Sequence, residues 1–129
     1  MATGPSFSWA HLGLVALGGA LGTAARAALT VMEIPAVPGV TVALVNLVGA
    51  FGLGLVTGAV VRAGDSPRTR AWRQFLGSGV LGGFTTYSAF ALGAATGTPP
   101  WLALGTAFLG VFAGWLGLLL TRPAREGRA

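Results

Sequence analysis

Cysteine is absent from the 129 residues, and histidine occurs once, at His11. Thiol chemistry, disulfides and Cys/His metal clusters are thereby excluded. Acids are almost as scarce: Glu33, Asp65 and Glu126 lie far apart, each close to a proline, glycine or arginine cluster that reads as loop or tail. Neither a carboxylate pair nor a nucleophile with its base follows from such spacing, so the chain does not read as an enzyme. Charged residues make up 9% of the chain, against roughly 25% in a typical soluble domain. What fills the chain instead is apolar, with 53% hydrophobic residues, 22 glycines and a mean hydropathy of +0.76. A chain of this length is a single unit, and most of its surface must face lipid or another membrane helix. The net charge of +5 comes from the shortage of acids and not from a cationic patch, so no nucleic-acid partner is expected.

Charge-free runs bounded by turn residues give the organisation. Residues 34–61 carry no charge, and 74–121 carry none across 48 positions. A spanning helix needs about 20 residues, so the second run must hold two helices. Their boundary is Gly97-Thr98-Pro99-Pro100, because proline removes an amide donor and pushes its predecessor out of helical geometry. The reading is an all-α integral membrane protein of four transmembrane helices, at about 12–32, 40–61, 74–96 and 101–121. Met1 to His11 contains no Lys or Arg, which argues against a secretory signal.

The stretch from Arg62 to Arg70 is the only clearly polar connector. With four spans, the N-terminus, this connector and the C-terminal tail share one side, which carries Arg62, Arg68, Arg70, Arg73, Arg122, Arg125 and Arg128. The other side has only Arg26, inside the first helix. The positive-inside rule then places both termini in the cytoplasm.

Five glycine pairs are spaced four apart: Gly18/Gly22, Gly54/Gly58, Gly79/Gly83, Gly93/Gly97 and Gly110/Gly114. Such pairs let helix backbones approach closely in lipid, but at this glycine density chance alone produces several. The polar residues beside them are more informative. In the third span Gly82 and Gly83 precede β-branched Thr85 and Thr86, a poor helix interior at mid-bilayer depth. Either the helix breaks there and releases backbone carbonyls as cation ligands, or the glycines merely permit tight packing while the hydroxyls bond the preceding turn. Tyr87 and Phe90 share a helical face, where ring edges can solvate an anion or simply pack. On the second span Asn46, Gly49, Leu53 and Thr57 line one face, and the Asn46 amide serves either an anion or a neighbouring helix. Arg26 is the only formal charge within a span, placed to snorkel or to draw anions toward a vestibule.

GGALGTAARAAL (18–29), VNLVGAFGLGLVTG (45–58) and GSGVLGGFTTYSAF (77–90) resemble, in order and spacing, the Fluc/CrcB family of fluoride-specific ion channels. The resemblance implies passive export of fluoride across a bacterial plasma membrane by an antiparallel, dual-topology-type dimer, with pores at the subunit interface. It also implies a broken third helix whose Gly82 and Thr85 carbonyls hold a central structural Na+ that is not transported. The anion pathway it implies runs past Asn46, Thr86, Tyr87, Ser88 and Phe90, with Arg26 near a vestibule. Two positions depart from the family pattern. Tyr87 stands where phenylalanine is usual, and 101–120 offers no tyrosine, leaving Thr106 as counterpart of the family's pore serine.

An uncharged interior suits this function, because fluoride must be stripped of water by neutral donors yet released again. Antiparallel homodimers require nearly balanced loop charge, whereas the arginine count here is seven to one. A fixed orientation and pairing with an oppositely biased homologous subunit is therefore expected, with homodimerisation as the alternative. Two rival functions remain: a non-conducting or partner-dependent assembly subunit, and a small multidrug exporter, which would need a carboxylate inside a span.

Overall fold

The computed structural model describes residues 7–32 and 37–121. Glu33, Glu126, Arg122, Arg125 and Arg128, used above for loop and orientation readings, lie outside the described residues. Among the described residues four helices are long and apolar enough to cross a membrane: Trp9–Thr30, Val40–Ala63, Pro67–Thr96 and Pro100–Thr121. Among the described residues all regular structure is helical.

Helix α1 (Trp9–Thr30) starts three residues earlier than the hydrophobic run suggests, because Ser8 caps it by accepting the His11 N–H. Helix α2 (Val40–Ala63) lies between Gly39 (φ 85°) and Gly64 (φ 79°), two left-handed positions that suit a residue without Cβ. The third span begins in the polar connector itself. Ser66 and Thr69 form a reciprocal capping box with Pro67 in the first turn, so Arg68 and Arg70 are on helix α3 (Pro67–Trp72) and not in a loop. From Arg73 to Leu81 the helix is wound as a π-helix, and the Gly82 N–H closes it by donating to Gly77 O five residues back. A short turn α4 (Gly82–Phe84), helix α5 (Tyr87–Thr96) and helix α6 (Pro100–Thr121) complete the chain. Between α4 and α5, Thr85 (φ −76°, ψ 152°) and Thr86 (φ −147°, ψ 121°) are extended.

Two tight pairs organise the bundle: α2 packs along α6, and α1 packs along the π-helical segment and α4. The buried positions are mostly glycine, namely Gly18, Gly22, Gly49, Gly54, Gly58, Gly77, Gly79 and Gly117, joined by Ala43, Val45 and Thr106. Among the described residues no large side chain is fully buried. Helix backbones meet one another at the centre while Leu, Val, Phe and Trp side chains point outward, as expected where lipid removes the hydrophobic drive to hide them.

Candidate functional site

The site starts from an asparagine in an apolar helix. Asn46 on α2 faces the extended pair after α4, and Gly49 one turn further on has no Cβ, so Thr85 seats against the α2 backbone. Asn46 uses both ends of its amide there. Its Nδ2 donates to Thr86 O (3.0 Å) and its Oδ1 accepts the Thr86 N–H (2.8 Å). In an uninterrupted helix that N–H would be directed at Gly82 O. The Thr86 hydroxyl then caps α5 by accepting the Ala89 N–H (3.3 Å) and lies 3.2 Å from Ser88 Oγ. Thr85 turns back instead, donating through both N–H and Oγ1 to Leu81 O, each at 3.0 Å.

An open groove of about 430 Å³ lies in front of this junction, bringing together Asn46, Thr85, Thr86, Tyr87, Phe90 and Thr106. No formally charged residue lines it. Tyr87 and Phe90 stand with ring centroids 6.5 Å apart and planes tilted by 34°. Tyr87 is 82% exposed, so the described residues leave most of it uncovered. Thr106, the one buried polar side chain among the described residues, donates its hydroxyl to Leu102 O (2.7 Å). The groove continues between α2 and α6 past Thr57 and Trp115.

Gly82, Ser88 and Arg26 do not line the groove. Arg26 Nε instead donates to Gly83 O (3.4 Å), and Thr23, one turn earlier on α1, donates its hydroxyl to the same oxygen (3.3 Å). Thr23 is missed by motif reasoning, although its spacing of three from Arg26 places both on one helical face. Ala50, Leu53, Ala107 and Gly110 also line the groove, and of these Ala50 and Leu53 share a helical face with Asn46. Because the two donors share one acceptor, Thr23→Val and Arg26→Ala should each destabilise by less than about 1 kcal/mol. The double variant should lose more than their sum, since only it strips Gly83 O of both side-chain donors. Thermal unfolding in detergent measures this; simple additivity would mean that Arg26 does not support that carbonyl.

The family profile described as CrcB-like protein, Camphor Resistance (CrcB), matches residues 13–121. The "Fluoride-specific ion channel FluC" of Phenylobacterium zucineum is 39% identical over 120 residues, covering 84% of this chain and 93% of that protein. The "Fluoride-specific ion channel FluC 2" of Thermobifida fusca is 40% identical over 122 residues, covering 93% of this chain and 88% of its own. The "Fluoride-specific ion channel FluC 2" of Leifsonia xyli is 53% identical over 81 residues, a match that spans 61% of this chain and 56% of that relative. With a profile match running from the first span to the end of the fourth, the chain belongs to the Fluc/CrcB family.

Proposed function

We propose that this protein is a subunit of a fluoride channel that lets the anion leave the cytoplasm passively. The observation that carries the reading is the groove at Asn46, Thr86, Tyr87, Phe90 and Thr106, which offers amide, hydroxyl and ring-edge dipoles and no formal charge. Neutral donors replace hydration water without trapping the ion, and the edges of the Tyr87 and Phe90 rings present the positive end of their quadrupoles. The names of relatives that span most of the chain agree with this reading. An exporter driven by a membrane carboxylate is disfavoured, since Asp65, the only acid among the described residues, sits in the turn between α2 and α3.

The pore is completed by an oppositely oriented second subunit. Two features support this: Tyr87 is left mostly uncovered by the described residues, and the groove is open along its length. The seven-to-one arginine bias favours a homologous partner of opposite orientation over a second copy, with both termini of this chain in the cytoplasm.

Backbone carbonyls at Gly82 and Thr85 fit a structural Na+ shared between subunits. In support, the Thr86 N–H is diverted to Asn46, away from Gly82 O, Thr85 is extended, and a hard cation accepts neutral oxygen ligands. Bound there, Na+ would tie the two junctions together and leave conduction to the side chains of the groove.

Fluoride efflux from liposomes, with this chain alone and with an oppositely biased homologue, tests the reading. Flux in at least one case is expected; none in either rejects the channel function, and flux from the chain alone favours the homodimer. Phe90→Ile, which keeps volume but removes the ring edge, should suppress flux while the protein elutes as folded. Unchanged flux would take Phe90 out of the pathway.

A further inference from the structure

At the end of α2 the chain builds a second recess, about 340 Å³, which shares no lining residue with the groove. One wall is apolar, formed by Val60 and Val61; the other is polar, formed by Gly64, Asp65, Arg70 and Arg73. The polar wall is held rigid. Thr69 Oγ1 donates to Gly64 O (2.8 Å) and accepts the Ser66 N–H (2.9 Å), closing the turn between α2 and α3. Arg70 Nε donates to Asp65 Oδ1 (2.6 Å) while its Nη2 donates to Oδ2, which fixes the guanidinium plane. The Arg70 hydrogen bond holds the Asp65 carboxyl below its ordinary value.

A guanidinium has five N–H donors, and the Asp65 fork engages one edge of Arg70 only. Arg73 has no carboxylate partner among the described residues, and the same holds for Arg62 and Arg68. Residues 62–73 thus set four arginines against one acid. The recess lies where the charge-free run of α2 gives way to Arg62, and half-exposed Trp72, a residue type favoured at membrane–water boundaries, directly precedes Arg73 in sequence. A soluble anion would cover the polar wall but leave Val61, 65% exposed, facing outward. A ligand with an anionic headgroup, such as a phosphate, at one end and hydrocarbon at the other matches both walls.

We propose that this recess binds an anionic phospholipid, with the phosphate held by Arg73 and the free edge of Arg70 and the upper acyl chain against Val60 and Val61. The site is separate from the fluoride pathway and stands whether or not that reading holds. Native mass spectrometry of the full chain in phosphatidylcholine, titrated with phosphatidylglycerol, tests it. The wild type is expected to retain phosphatidylglycerol in preference to phosphatidylcholine. Arg73→Gln should lower that retention about fivefold, the scale of one basic contact with an anionic headgroup. Arg62→Gln, outside the recess, should leave retention unchanged, and Arg73→Lys, which keeps the charge without the fork, should fall between. Matching thermal unfolding temperatures for the variants establish that the fold persists. Equal losses in Arg62→Gln and Arg73→Gln would mean diffuse charge and overturn the site. So would displacement of the lipid by equimolar inorganic phosphate, or equal retention of phosphatidylcholine.

Discussion

Replacing Asn46 by leucine is expected to abolish fluoride flux and to lower stability at the same time. The side chain satisfies the backbone N–H and C=O of Thr86 together, and leucine would leave both without a partner. An unsatisfied buried backbone group costs about 1–3 kcal/mol, and with Thr86 half-buried the loss should sit toward the lower end while the Thr85–Thr86 junction loosens. Asn46→Asp separates support from electrostatics. An aspartate still accepts the Thr86 N–H but turns an oxygen toward Thr86 O, and when ionised it places a negative charge in the groove. Flux should fall by about tenfold or more, the equivalent of one charged-group hydrogen bond in a barrier, with a smaller loss of stability than in Asn46→Leu. Efflux and thermal unfolding, measured on both variants, distinguish the possibilities. A leucine variant with wild-type unfolding temperature would show that Asn46 does not hold the junction, and one with wild-type flux would remove it from the pathway.

Much of the architecture was legible because membrane physics is coarse. Proline pairs and charge-free runs divide the chain at Gly97 to Pro100, and α6 begins at Pro100 accordingly. The start of the third span was less legible. Arginines at 68 and 70 suggested a loop, whereas Ser66, Pro67 and Thr69 formed a capping box in plain view, and local helix chemistry outweighed charge. Around Gly82 and Gly83 the sequence suggested poor helix, yet Gly82 holds helical angles (φ −64°, ψ −38°) and the extended residues are Thr85 and Thr86. The reason is tertiary: Asn46, 40 positions away, takes both backbone groups of Thr86. No local pattern displays that bond. The use of Arg26 was hidden in the same way, since a charge within an apolar helix says nothing of the Gly83 carbonyl that it meets.

Convergence in the groove was legible only in part. Asn46, Tyr87 and Phe90 stood out as polar or aromatic positions on identifiable faces, and they do meet. Thr106 joins them from the opposite helix, a pairing that depends on how closely α2 and α6 approach. That approach is set by glycines, and spacing alone could not rank them. A Cβ at either member of Gly18/Gly22, Gly54/Gly58 or Gly79/Gly83 would strike atoms of the facing segment, but one at Gly97 or Gly110 would meet nothing within 4 Å.

This difference makes the last prediction sharp. In Gly54→Val the new Cβ would strike the Gly114 carbonyl oxygen on α6, and in Gly22→Val it would strike the Val80 carbonyl oxygen in the π-helical segment. Both obstacles are backbone, which has no rotamer to change, so the helices must separate along their length. Each variant should therefore exceed the roughly 1–3 kcal/mol usual for overpacking and fail to yield a monodisperse protein on size exclusion. Gly13→Ala is the control. It lies in α1 with nothing within 4 Å of the added methyl, and the gain in helix propensity should stabilise by about 0.5–1 kcal/mol. Gly110→Leu divides subunit folding from assembly, because Gly110 lines the groove yet no facing atom among the described residues lies within 4 Å of a Cβ there. The subunit should fold normally while flux is lost, since the leucine fills the groove that the proposed second subunit would enter. A Gly110→Leu protein that conducts as well as wild type would place the partner elsewhere, and a well-folded Gly54→Val protein would show that α2 and α6 do not depend on backbone contact at this point.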